Sequence, residues 1–170
     1  SQLTDCLGAV RAAGRPIFLP FLGGERTPHN DAHSRGAFLG LEHATDRVAA
    51  SRAVLEGVAF AFRDCHAAMD ATGTRISRLT AVGGGAASQY WLQAIATVLN
   101  LPIDVPVKGD FGAAFGAARL AMMAAGQGGI ELAHPPEIKQ TIEPERALSD
   151  AFSETYDRYK KTYRALKELP

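Results

Sequence analysis

Strand-type apolar runs alternating with helical patterns from residue 79 onward predict an α/β chain whose strands pair in parallel under covering helices. Three observations carry that prediction. Residues 79–82 form a short apolar run that enters Gly83-Gly84-Gly85, and residues 88–99 then return to helical spacing. Residues 102–107 read as a second strand, of mixed polarity, followed by a helical pattern from about 111 to 125 that stops at Gly126. Across the 170 residues there is no internal repeat, low-complexity tract or linker, and 46% hydrophobic content is enough apolar surface for one core.

The other elements follow in chain order. Residues 3–13 carry apolar side chains at roughly helical spacing, and Gly14-Arg15-Pro16 ends the pattern, because proline disfavours helix in the residue before it. Residues 17–22 are a strand-type run leading into a loop over residues 23–31, where two glycines, Pro28 and Asn30-Asp31 exclude a buried ladder. Residues 37–41 predict another short strand, and Thr45 or Asp46 is placed to cap a long helix over residues 48–69 that Gly73 stops. In that helix residues 54, 55, 58, 59, 62 and 65 form the expected apolar stripe, with Arg52, Glu56, Arg63 and Asp64 largely off it. Asp110 is expected to cap the helix after it. A connection through Pro135-Pro136, a weak strand at 138–142 and a terminal helix over about 145–169 complete the chain.

Charge and cysteine content narrow the function classes. Eighteen basic against eighteen acidic residues leave no net charge, so neither a nucleic-acid backbone nor an anionic membrane is recruited by a basic patch. Cys6 and Cys65 are far apart and no His cluster stands at ligand spacing, which argues against a disulfide framework or a structural zinc and for a reducing cytoplasm. No apolar stretch is long enough to span a bilayer, and the first residues lack a leader pattern, so a soluble protein is expected.

The sharpest chemical feature is Val82-Gly83-Gly84-Gly85-Ala86-Ala87-Ser88-Gln89. Glycines at a strand-to-helix junction let a ligand approach the backbone at a helix N-terminus, which suits a nucleotide. Ser88 and Gln89, in the first turn, can offer hydrogen bonds to base or phosphate, and Gly85 and Gln89, four apart, are expected on one face at the adenine. The competing reading is structural: a tight turn and an ordinary serine cap. The glycines alone favour it, because the run is neither the dinucleotide fingerprint nor a P-loop. Glu25, Arg26, His29 and Asp31 form a second polar group that either faces a cleft or locks its own loop, and both readings stay open. His33, His43, His66 and His134 stand without partners at ligand spacing, Gly112 and Gly116 suit close helix packing, and Lys160, Lys161, Arg164 and Lys167 read as a solvated face.

Several separated segments, in order, resemble the FGGY carbohydrate kinases, in their xylulokinase branch. They are residues 18–31 (FLPFLGGERTPHND), 34–41 (SRGAFLGL), 53–60 (AVLEGVAF), the turn at Gly83 to Ala86, residues 115–121 (FGAARLA) and the tail at 156–159 (YDRY). One departure is Ala49-Ala50, where the family pattern has a polar and then a larger aliphatic residue. The resemblance implies a ribonuclease H-like domain of the actin-like ATPase superfamily, incomplete, with residues 1–170 as the later part of the C-terminal kinase domain. It further implies ATP and Mg2+ in the complete enzyme, and an adenosine site at Gly83, Gly84, Gly85, Ala86, Ser88 and Gln89. No catalytic residue and no metal ligand is expected here: the sugar pocket, the catalytic Asp and a phosphate loop would lie upstream of this chain, which also lacks the N-terminal domain, so this chain by itself is expected to be inactive. The implied activity is phosphorylation of D-xylulose to D-xylulose 5-phosphate, and a homodimer would be unsurprising for the family. A kinase of the same family for another polyol, pentulose or sugar acid, and a non-catalytic binding or assembly module, are the two alternatives.

Overall fold

The structure is a computed structural model that describes residues 6–107 and 112–168. Two strands, β1 (Ile17–Leu19) and β2 (Ala37–Leu39), pair antiparallel with Phe18 opposite Phe38. The long helix α1 (Arg47–Ala71) follows, then β3 (Leu79–Thr80), a 3-10 turn at Gly84–Ala87, α2 (Gln89–Leu99) and β4 (Ile103–Pro106). Helix α3 (Gly112–Ala124), a 3-10 turn at Ile130–Ala133, β5 (Ile138–Ile142), a last 3-10 turn at Arg146–Leu148 and α4 (Ser149–Lys167) end the chain.

Local chemistry sets the helix ends. Asp46 caps α1 through Oδ1, which accepts from the Ala49 N–H at 2.7 Å, and Gly73 leaves the helix at φ +87°, where a side chain would be strained. Ser88 caps α2, and Asn100 in the left-handed region ends it. On α4 the buried residues Phe152, Tyr156, Tyr159 and Tyr163 recur at helical spacing, which turns one aromatic face inward. That face meets Phe60 of α1, Ile95 of α2, Leu19 of β1 and Ile103 of β4 in one core. Helix α1 lies so close to β1 that a Cβ at Gly57 would stand 2.2 Å from the Phe18 carbonyl oxygen.

Four expectations are corrected. The helix predicted over residues 3–13 begins outside the described residues, and from Cys6 onward the backbone is not helical. Gly8 takes a left-handed φ of +67°, and the Arg11 and Ala12 carbonyls turn away to accept from Arg52 Nη2 at 3.1 and 2.8 Å. The apolar stripe of α1 is not its most buried face. Arg52, Glu56 and Asp64 are buried while Phe62 is exposed, because neighbouring elements bring polar partners to the first three. The pairing is mixed: β3 and β4 are parallel, but β5 runs antiparallel to β4. After α3 the chain returns beside the end of β4, where the Val107 N–H donates to the Glu137 carbonyl at 2.9 Å. Finally, α3 buries no residue: a Cβ at Gly116 would meet nothing within 4 Å, while one at Gly112 would stand 3.9 Å from Val82. The cap expected of Asp110 lies outside the described residues.

Candidate functional site

The glycine turn sits between β3 and α2, as its composition predicts. The Ala81 N–H is held by the Asp104 carbonyl at 2.8 Å, which ties the end of β3 to β4. Gly83 then adopts φ +82°, a conformation that glycine enters without cost, and its carbonyl accepts from the Ala86 N–H at 3.1 Å. The Gly85 carbonyl accepts from the Ser88 N–H at 3.2 Å, and Ser88 Oγ accepts from the Trp91 N–H at 3.3 Å. Ser88 is therefore used as a helix cap, which is the structural role weighed for it.

A Cβ placed on Gly83 or Gly84 would meet nothing within 4 Å, so the turn presents bare backbone to open space. Gly85 differs, because a Cβ there would stand 2.7 Å from Trp91 Cζ3. Two clefts flank the turn. One, of about 470 Å3, is apolar and is lined by Gly85, Ala86 and Trp91 with Phe62, Met69 and Val82. The other, of about 460 Å3, is more polar and includes Ala87, Ser88, Gln89, Gln93 and Glu145. Gly85 and Gln89 thus fall on different clefts, contrary to the expectation of one shared face. The i to i+4 relation needs continuous helix, and here a 3-10 turn is followed by an extended Ser88 at φ −93°, ψ 102°.

The Glu25 to Asp31 group closes on itself. Glu25 and Asp31 exchange backbone bonds at 2.8 and 2.6 Å, and Glu25 Oε2 accepts from the His29 N–H at 2.8 Å. Asp31 accepts from Ser34 Oγ at 2.7 Å, from the N–H groups of His33 and Ser34, and from the Tyr163 hydroxyl at 3.1 Å. Ser34 first, then the other donors, hold the Asp31 carboxyl well below the ordinary carboxylate range. Of the two readings the mutual bonds realise the locked loop, while Arg26 stays exposed.

Two buried polar groups on α1 escaped the sequence reading. Arg52 donates from Nε to the Tyr90 hydroxyl and from Nη2 to Glu56 Oε1, both at 2.9 Å, and fastens the N-terminal segment to α2. Burial pushes the Glu56 carboxyl up against the pull of Arg52. Asp64 accepts a short bond from the Tyr156 hydroxyl and has His29 Nε2 at 3.6 Å. The Arg/Glu spacing of four along α1 was the available signal; Tyr90, 38 residues from Arg52, gave none. Among the described residues no three His, Cys, Asp or Glu side chains gather as a metal site, and no helix is long and apolar enough to cross a membrane.

Helices covering a mixed sheet, with a glycine turn opening onto a capped helix, place this chain in the ribonuclease H-like fold of the actin-like ATPases, and solved structures match it. The crystal structure of a xyloylose kinase from Brucella ovis superposes with a TM-score of 0.91 at 55% identity, over 99% of this chain and 35% of that one. A glycerol kinase from Plasmodium falciparum, solved with ADP, shares the fold at a TM-score of 0.78 and 20% identity, over 99% of this chain and 34% of that one. The model of the FGGY family of carbohydrate kinases, C-terminal domain, matches residues 2–125, and the chain belongs to that family. A xylulose kinase from Escherichia coli (strain K12) is 38% identical over 154 residues, covering 89% of this chain and 32% of that protein. One from Klebsiella pneumoniae is 44% identical over 116 residues, 68% of this chain and 24% of that protein. The chain therefore spans about a third or less of the length of these relatives.

Proposed function

We propose that this chain is the nucleotide-binding end of an ATP-dependent sugar kinase that phosphorylates D-xylulose, working with an N-terminal domain that supplies the sugar pocket. The observation that carries the reading is the open backbone at Gly83 and Gly84, set at the start of a capped helix, where a ligand meets amide groups rather than side chains. Gly85 and Ala86 border an apolar cleft suited to a flat base, and Ser88 and Gln89 border a polar one suited to ribose or phosphate. The xylulose kinases among the relatives supply the sugar.

In the reaction a base outside this chain takes the sugar hydroxyl proton, the oxygen attacks the γ-phosphorus, and ADP departs. The turn contributes position, holding the nucleotide so that the γ-phosphate reaches the other domain. Magnesium neutralises phosphate charge when bound. Held mostly by the phosphates, it would take its carboxylate ligands from the remainder of the enzyme. A cytoplasmic setting accords with ATP as the co-substrate.

The test uses Gly84, because a side chain there meets no protein atom and its backbone is not left-handed. In the full-length kinase Gly84→Val should weaken a non-hydrolysable ATP analogue by about tenfold or more, the scale of an overpacking penalty of roughly 1–3 kcal/mol. D-xylulose binding should not change. Unaltered analogue binding in a folded Gly84→Val protein would remove the nucleotide from this turn.

A further inference from the structure

Trp91, the only tryptophan in the chain, lies under the glycine turn. A Cβ at Gly85 would be 2.7 Å from its Cζ3, 3.2 Å from Cε3 and 3.6 Å from Cη2, so the six-membered part of the indole fills the space where residue 85 would carry a side chain. The same residue gives its backbone N–H to Ser88 Oγ at 3.3 Å. Ring and amide together tie the middle of the turn and the cap residue after it to residue 91. The indole Nε1 is buried and makes no hydrogen bond among the described residues.

We propose that Trp91 is a positioning residue for the nucleotide: its ring props Gly85 and so sets the height at which the Gly83 and Gly84 backbone meets ATP. The proposal rests on the nucleotide reading of the turn given above. It assigns the apolar cleft beside Gly85 a wall that works through the turn, since a side chain with no six-membered ring beneath Gly85 lets the turn drop and moves the amide groups off the ligand.

In the full-length kinase, Trp91→Leu should raise the KM for ATP by about tenfold, with kcat at saturating ATP and the KM for D-xylulose each within about twofold of wild type. Trp91→Phe keeps a six-membered ring beneath Gly85 and should recover ATP KM to within about threefold. Equal losses in kcat and in both KM values, or no change in ATP KM in a folded variant, overturn the positioning role. A second measurement does not depend on the leucine variant folding. Saturating nucleotide should change the tryptophan emission of the wild type by an amount that disappears in Trp91→Phe, and D-xylulose alone should not; a nucleotide response identical in both proteins overturns the proposal. Photolabelling with 8-azido-ATP separates the two failures. Label on the peptide of residues 83–91 with unchanged kinetics in Trp91→Leu refutes the positioning role alone, while label confined elsewhere refutes the nucleotide reading with it.

Discussion

Gly57→Ala tests the contact that sets the whole α1 side of the domain. The new methyl carbon would stand 2.2 Å from the Phe18 carbonyl oxygen and 3.1 Å from its carbon, against the 3.4 Å at which ordinary contact begins. The obstacle is backbone, so it cannot be relieved by a rotamer. Strand β1 would have to retreat by about 1 Å, and it carries Ile17 and Leu19, which are 5% and 1% exposed in the core. Overpacking of this kind costs about 1–3 kcal/mol, and the upper end applies where backbone must move. Alanine returns about 0.5–1 kcal/mol through its better helix propensity. The net loss is about 2 kcal/mol, which for a chain of this size lowers Tm by about 4–8 °C. Differential scanning calorimetry measures it, with Gly116→Ala as the paired control. At Gly116 nothing lies within 4 Å of the added carbon, so only the propensity gain of up to about 1 kcal/mol applies and Tm should rise. A Gly57→Ala protein as stable as the wild type would refute the close approach of β1.

Three further outcomes are expected. Glu56→Ala leaves Arg52 buried without its carboxylate partner, and urea unfolding should show a loss of about 3–5 kcal/mol; a loss below about 1 kcal/mol would mean that the pair is solvated. Because the folded state holds the Asp31 carboxyl below its unfolded value of about 3.9, its contribution is present above that pH and is lost as pH falls from there through the lower folded value, so Asp31→Asn should flatten the acid limb of a Tm-against-pH curve; an unchanged limb would refute this. The 170-residue chain alone should release no ADP from Mg-ATP with D-xylulose in a coupled assay, whereas turnover at an ordinary kinase rate of about 1–100 per second would place catalytic groups within it.

By itself the sequence determined the order of the strands and long helices from β1 onward and several of the places where the helices start and stop. Asp46 and Ser88 as caps, Gly73 as a stop and the glycine run between β3 and α2 are local decisions, each made by a residue acting on the backbone within a turn of itself. The family was legible for the same reason, since its motifs are contiguous. Tertiary structure alone decided which face of α1 is buried. Periodicity counts apolar side chains, but Arg52, Glu56 and Asp64 go inside because Tyr90, Tyr156 and the carbonyls of Arg11 and Ala12 arrive from elsewhere to pair with them. It also decided that residues 6–13 are not helical: Gly8 takes a left-handed φ of +67°, and Leu7 is buried where the segment packs. At the candidate site the glycines were legible, but the separation of Gly85 from Gln89 was not. That depends on an extended Ser88 and on Trp91 filling the space beneath Gly85, and only packing in three dimensions puts a ring six residues away against a backbone carbon.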